Sequence, residues 1–383
     1  MTSMPSLPRI ALGKPSATQK RDSIWPWMPP AALIRLALFF RRFLLRLADA
    51  IVPASLPMFE QSTGMMQTMM LTIVSRHEIA DRLKERPLTA AELARMSGTN
   101  ADVLHRILRA LASRGVFTLD KVGRFHNNRL SKSLLTGEAA ASREWVQYFG
   151  SQSNVLAWAD LQRSVVDGQS SFDRVFGMSV WDWFEKHSDE QDMFAHSMMG
   201  VTAIQAPIVA RLYPFRELKT ICDIGGGRGT LLSGILAEHP QLQGLLYDAA
   251  GVLESADALL KARGLRDRVA SVEGNFFKQV PSGADAYLLK NIFHDWDDAH
   301  CSLILKNLAT AMQPGQKILV IEQLVEQNDA RGFGPASDVQ MLVACTNGRE
   351  RSRDEIQKLF LANGLRLGRT FSHPLISIVE AVV

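Results

Sequence analysis

A chain of 383 residues is long enough for two or three domains, and its ordinary composition supplies a well-stocked apolar core. A formal net charge of +4 is too small to argue for a polyanionic partner. The three cysteines, Cys222, Cys301 and Cys345, stand far apart without metal-type spacing, which speaks against a disulfide scaffold or a zinc module and fits reduced thiols in a cytosolic protein.

Residues 1–30 are rich in Pro, Ser and Lys and are expected to be disordered or loosely attached. The first apolar stretch starts late and lacks a small-residue cleavage pattern, so no signal peptide is expected. Residues 31–50 read as a basic, apolar helix. The run Ala31 to Leu47 is broken by Arg35, Arg41, Arg42 and Arg46, and no run is expected to span a bilayer. Such a helix either meets an anionic membrane surface or packs on its own domain or a second subunit. Packing is favoured, because apolar residues occupy most of the circumference.

Met58 to Glu85 reads as helical, with Met65, Met66, Met69 and Met70 at helical spacing for core or dimer packing. Leu88 to Ala94 is a short capped helix, Gly98-Thr99-Asn100 a turn, and Ala101 to Arg114 a second helix. That helix gathers Val103, Leu104, Ile107, Leu108 and Leu111 on one face. Gly115-Val116-Phe117 and Arg124-Phe125-His126 suggest a small hairpin, which completes a winged helix-turn-helix outline. Arg106, Arg109 and Arg114 are spread round the helix with no base-reading Asn or Gln beside them, so self-association is expected rather than DNA binding. Residues 138–215 look wholly helical and rich in aromatics, among them Trp145, Phe149 and Trp158. Most must be core, and a few would wall an apolar cavity.

From Lys219 onward strand-like runs alternate with helical ones: Thr220–Asp223, Gly244–Asp248, Ala270–Glu273, Ala284–Lys290, Lys317–Gln323 and Ile376–Val382. This alternation predicts an α/β domain, a mainly parallel sheet wrapped by helices. Ligands bind such sheets at the carboxyl ends of the strands.

The sharpest feature is Asp223-Ile224-Gly225-Gly226-Gly227-Arg228-Gly229, between the first strand and a helix starting at Thr230. A dinucleotide fingerprint fails because its last glycine would fall at Thr230, and no Lys-Ser/Thr follows to make a P-loop. An acid at the strand end repels phosphate and suits a ligand with a positive amino group, such as S-adenosylmethionine. Asp248, ending the next strand, stands where a ribose-binding acid sits in nucleoside-binding folds. On the same rim, His294 follows a buried strand within Lys290 to Asp298 and has the natural pKa for a base near neutrality. Glu322 and Glu350 are alternative partners for its Nδ1. Asp297 and Asp298 read as helix caps, and no third ligand at suitable spacing supports a metal.

These residues resemble the small-molecule O-methyltransferases of the plant caffeic-acid type and the bacterial phenazine and carotenoid type. The resemblance runs from about Met58 to the C-terminus. It rests on Asp223–Gly229, Tyr247-Asp248, Gly274-Asn275-Phe276-Phe277, Lys290 to Asp298 and Asn347-Gly348-Arg349-Glu350-Arg351. It implies an N-terminal winged-helix dimerisation domain, a C-terminal Rossmann-like S-adenosylmethionine domain, and metal-independent methyl transfer in an interlocked homodimer. The expected divisions are 1–30, a dimerisation domain over 31–135, a helical linker and substrate cap over 136–215, and the cofactor-binding catalytic domain over 216–383.

By the same resemblance His294 matches the general base and Glu322 and Glu350 its flanking acids. Asp223, Gly225, Gly227, Asp248, Asn275, Phe276 and Lys290 match cofactor contacts. Met198, Trp158, Phe149, Asp295 and Met341 are expected on the substrate side. Two departures stand out: Asn275 replaces a usual Asp, and Ala249-Ala250 replaces Leu-Pro after the ribose acid. The expected activity is methylation of a hydroxyl on a small apolar or aromatic metabolite. The rival readings are a winged-helix DNA-binding regulator with a ligand-sensing domain, and a family member with divergent decarboxylase or hydroxylase chemistry.

Overall fold

The strands from Thr220 onward are short, apolar and rich in Ile, Leu and Val, a composition suited to a sheet covered on both faces. A computed structural model describes residues 30–138, 141–328 and 330–383. Apart from Pro30, the stretch expected to be loosely attached lies outside them. In chain order the elements begin with α1 (Ala31–Ala50), α2 (Ser55–Ser62), α3 (Gly64–Arg76), α4 (Ile79–Arg82), β1 (Leu88–Thr89), α5 (Ala90–Ser97), α6 (Ala101–Ser113), β2 (Thr118–Leu119) and β3 (Arg124–His126). Six helices follow: α7 (Ser142–Phe149), α8 (Gln152–Ala159), α9 (Leu161–Asp167), α10 (Ser171–Phe176), α11 (Val180–Lys186) and α12 (Ser188–Leu212). The alternating part is β4 (Thr220–Ile224), α13 (Thr230–Glu238), β5 (Gln243–Asp248), α14 (Ala250–Ala262), β6 (Val269–Glu273), β7 (Ala286–Lys290), α15 (Asp298–Ala311), β8 (Lys317–Glu322), α16 (Gly334–Ala344), α17 (Arg353–Ala362), β9 (Arg366–Ser372) and β10 (Ser377–Val382).

The described residues group into two compact units. One holds residues 30–155 and Phe184–Val201, the other Leu156–Trp183 and Thr202–Val383.

In the first unit α5 opens with a capping box, in which Thr89 Oγ1 accepts from Glu92 N and Glu92 accepts from Thr89 N. Gly98 closes it in the left-handed region at φ 67°, and Asn100 caps α6. The inner face of α6, Leu104, Leu108 and Leu111, packs with Leu88, Leu93, Phe117 and Phe125 into a core. β1, β3 and β2 make a three-stranded antiparallel sheet. The hairpin strand starts at Thr118 rather than at Gly115, because Gly115 and Phe117 adopt positive φ and cannot extend the ladder. Val103, expected in the core, is exposed. With Met70, Arg106, Ile107, Arg109, Ala110 and Ser113 it lines an open groove of about 590 Å³.

None of the residues of α1 is buried, so of the two packing arrangements expected for it the one on its own domain is not seen, and the one on a second subunit is left. Leu33, Phe39, Phe40, Phe43 and Leu44 stand exposed along it, and Met65 and Met66 of α3 are exposed as well.

The second unit carries a seven-stranded sheet of order β6-β5-β4-β7-β8-β10-β9. The pairs from β6 to β8 are parallel, and β10 runs antiparallel to both β8 and β9. One face packs on Val209, Leu232, Ile235 and Leu260, the other on Ile304, Leu305, Leu308 and Phe360. All three cysteines are free and buried. By length and composition α12 is apolar enough to cross a membrane, which the expectation of no such run missed. Its C-terminal part, with Ala206, Ile208, Val209 and Ala210, is core of this unit.

Candidate active site

In parallel strands every side chain at a carboxyl end stands on the same rim. Asp223, Asp248, Lys290 and Glu322 occupy those ends on β4, β5, β7 and β8. Each follows a run of buried apolar residues, so the sheet holds four charged groups at fixed positions on a common edge.

The turn after β4 is built around its glycines. Gly225, Gly227 and Gly229 have positive φ of 64°, 58° and 76°, where a side chain is strained. Gly225 N–H donates to Tyr247 O at 2.8 Å and Gly227 N–H to Asp248 Oδ2 at 2.8 Å. The second bond ties the turn to the acid on the neighbouring strand. A Cβ on Gly226 would stand 2.8 Å from Asp223 Oδ2 and 2.5 Å from Leu246 Cδ1, while one on Gly227 would meet nothing within 4 Å. The turn is therefore tight on its sheet side and open at Gly227.

Asp223 is 1% exposed, and its Oδ2 has no hydrogen-bond partner. Burial pushes its carboxyl up to about 7, against the pull of Lys290 and with the push of Asp248. Burial brings the Lys290 ammonium down to about 8, with Asp223 and Glu322 opposing. A buried carboxylate with a spare oxygen beside a bare glycine turn is a receptor for an ammonium group, whose charge would offset the desolvation. Asp248 is raised by burial, opposed by the N–H groups of Gly227 and Ala249. These residues fit the amino-acid and ribose ends of S-adenosylmethionine. Asn275 is less committed, since its Oδ1 accepts Phe277 N–H at 2.8 Å within its own turn. Phe276 approaches the Gly225 position and meets Phe277 edge-on at 4.7 Å.

His294 sits in a short 3-10 turn, Phe293–Asp295, after β7. Its Nδ1 is 3.0 Å from Glu350 Oε1, and its backbone N–H donates to Glu322 Oε1 at 3.1 Å. The two acids thus divide the work: Glu350 orients the ring and Glu322 the main chain. Asp295 Oδ1 is 3.5 Å from Nε2, too long for a good hydrogen bond. Nε2 therefore keeps its lone pair or proton for a ligand. Burial lowers the proton affinity of His294, but Asp295, Glu350 and Glu322 outweigh it and carry the imidazole up to about 10. Burial raises Asp295 to about 6 and Glu322 to about 7. For Glu350 burial is overcome by His294 and Ser337, so it falls below the ordinary glutamate value. Glu350 is thus the carboxylate that faces an imidazolium.

Sequence reasoning missed the clamp on this loop. Arg351 is wholly buried. It donates from Nη1 to Phe293 O at 2.5 Å, and from Nη2 to Trp296 O at 2.7 Å and Asp298 Oδ1 at 2.7 Å. Arg349 N–H donates to His294 O at 2.8 Å. A Cβ on Gly348 would stand 3.0 Å from that same carbonyl oxygen. The segment 348–351 therefore grips both sides of His294. Its signal, an Arg in a polar run, gave no hint of burial. Asp297 caps α15 by accepting His300 N–H, as expected, while Asp298 serves Arg351 instead.

On the substrate side Trp158 Nε1 donates to Gln340 Oε1 at 2.7 Å, which brings the α8 residue onto α16, the helix of Met341. Trp181 stacks on Trp296 at 6.0 Å. Phe149 and Met198 belong to the first unit, where Phe149 stacks on Trp145 at 5.0 Å. Among the described residues no group of three or more His, Cys, Asp or Glu is placed to hold a metal ion.

A family model described as the O-methyltransferase domain matches residues 158–366, and one described as the O-methyltransferase dimerisation domain matches residues 59–137. The phenazine O-methyltransferase PhzM of Lysobacter antibioticus is 35% identical over 331 residues, 86% of this chain and 96% of that protein. The structure of the mitomycin 7-O-methyltransferase MmcR superposes with a TM-score of 0.81 at 34% identity, over 88% of this chain and 99% of that one. The O-methyltransferase NcsB1 of neocarzinostatin biosynthesis, crystallised with S-adenosylmethionine and 2-hydroxy-5-methyl naphthoic acid, gives a TM-score of 0.72 at 30% identity, covering 82% of this chain and 95% of that one.

Proposed function

The chain belongs to the S-adenosylmethionine-dependent O-methyltransferases, and from that premise we propose that His294 is the base that deprotonates a phenolic hydroxyl on a small aromatic metabolite. The observation that carries this is the pairing of a buried imidazole through Nδ1 with Glu350, which leaves Nε2 for the acceptor. The expected O-methyltransferase activity and cofactor stand, and the relatives offer no support for a DNA-binding regulator.

When bound, S-adenosylmethionine supplies an electrophilic methyl group. The chain's own residues do the rest. Asp223 takes the cofactor's ammonium, Asp248 its ribose hydroxyls, and the backbone of Gly225 to Gly227 leaves room for both. Asn275, Phe276 and Lys290 complete that side. His294 Nε2 receives the hydroxyl proton, Glu350 holds the Nδ1 proton, and Glu322 fixes the loop. A proton affinity raised toward 10 matches that of a phenol, which lies at about 10. Asp295, Met341 and Trp158, all of the second unit, contact the acceptor. The test is transfer of isotopically labelled methyl to a panel of hydroxylated phenazines and naphthoates, with His294→Ala as control. Absence of transfer by the unaltered protein to every phenol would count against the phenolic acceptor.

Residues 31–135 serve as the winged-helix dimerisation domain in this reading, 136–215 as the linker and cap, and 216–383 as the catalytic domain. The exposed apolar surface of α1 to α3 supports a homodimer. A peripheral membrane contact of α1 has one observation in its favour: Arg35, Arg42 and Arg46 fall within about 40° of the helix circumference. Flotation with anionic vesicles tests it, and failure to float would leave the second subunit as the cover.

A further inference from the structure

α16 begins with Phe333 at its N-cap position and has no side chain capping it. Ser337, in its first turn, is therefore free of capping duty. Its Oγ instead donates to Glu350 Oε1 at 2.7 Å, the same oxygen that meets His294 Nδ1 at 3.0 Å. The other oxygen, Oε2, is buried with no partner. Both donors thus converge on one atom of the carboxylate. Asp338 holds the Glu350 backbone by accepting its N–H at 2.8 Å. One turn along, the buried Gln340 accepts Trp158 Nε1 at 2.7 Å, which pins the helix that presents Ser337.

We propose that Ser337 is a positioning residue for methyl transfer, holding Glu350 so that a single carboxylate oxygen faces the imidazole and drawing charge from that oxygen. The proposal rests on the reading of His294 as base. Its physical content is a competition. A carboxylate oxygen with two donors is a weaker acceptor toward each than an oxygen with one. Without the hydroxyl, Oε1 would hold the Nδ1 proton more strongly and stabilise the imidazolium further. The base would then be harder to free, and the rate at a given pH would fall.

The test uses the full chain labelled with ¹⁵N-histidine, the His294 resonance being identified by its loss in His294→Gln. In Ser337→Ala the His294 midpoint should rise by roughly half a pH unit to one unit, and Ser337→Thr, which restores a hydroxyl, should return it toward the starting value. With a hydroxyphenazine as probe acceptor, kcat below the midpoint should fall about three- to tenfold in Ser337→Ala, its acid limb should move the same way, and the cofactor KM should stay put. A midpoint that is unchanged or lowered in Ser337→Ala overturns the proposal, as does an equal effect in Ser337→Thr. If Ser337→Ala fails to fold by circular dichroism, Ser337→Cys keeps a weaker donor and should move the midpoint the same way by less; no movement overturns the proposal. Failure of the unaltered protein to methylate the probe would bear on the acceptor reading alone, because the titration needs no acceptor.

Discussion

The Nδ1 of His294 and the Oε1 of Glu350 lie 3.0 Å apart in a buried setting, with residues from two separate loops forming the pair. The separation fixes which ring nitrogen is engaged. It also makes the strength of the base depend on a neighbour that the acceptor need not touch.

Replacing His294 by Ala should lower kcat by about two to four orders of magnitude, the usual worth of a positioned base. Cofactor affinity by calorimetry should change less than about twofold, because none of the groups proposed to hold the cofactor hydrogen-bonds to this ring. Full turnover on a phenol would remove the assignment.

The pH profile follows from the direction of the His294 shift. Three carboxylates raise its proton affinity, so the ring is protonated at neutrality and must lose that proton to act. Activity should therefore rise with pH from about 7 toward 10. Glu350→Gln removes one of the charges responsible, so its acid limb should lie at lower pH than that of the unaltered enzyme. Its maximal rate should fall as well, since ring orientation is weakened. A limb that moves up would contradict the electrostatic argument.

Asp248 accepts from Gly227 N–H and Ala249 N–H at 2.8 and 2.7 Å. Asp248→Ala should weaken cofactor binding by about ten- to a hundredfold, the value of hydrogen bonds to a charged group. Calorimetry with S-adenosylhomocysteine reads this directly, and unchanged affinity would exclude the ribose role.

Gly226→Ala places a Cβ against Asp223 and Leu246. Cofactor affinity should drop more than about tenfold, with a stability loss of about 1–3 kcal/mol by thermal unfolding. Gly227→Ala meets no neighbour but strains a φ of 58°. It should cost about 1 kcal/mol of stability.

Light scattering of the full chain at micromolar concentration should give twice the 42.5 kDa chain mass. A monomer would count against the role proposed for residues 31–135.

The sheet was legible because each of its parallel strands is a short, mostly apolar run with a polar residue at or next to its carboxyl end, and the ends came within one or two positions. β9 was not legible: Arg366–Ser372 has no buried residue and no apolar alternation, being an edge strand. The acids were legible as candidates, but which of Glu322 and Glu350 meets the ring depends on a loop conformation that spacing does not encode. α1 was legible as a helix. Its lack of intramolecular cover was not, since an apolar surface does not announce where it is buried. Ser337 escaped notice, and Arg351 was read only as part of a motif, because their importance lies in what they touch across the fold.

The guanidinium of Arg351 reaches carbonyls 58 and 55 positions earlier in the chain. A ribosome-bound chain can complete the sheet as far as β8 and still lack the bolt that secures its reactive turn. Methylating competence should thus arrive late in synthesis, and a product cut short ahead of residue 351 would retain most of the sheet while its histidine stayed loose.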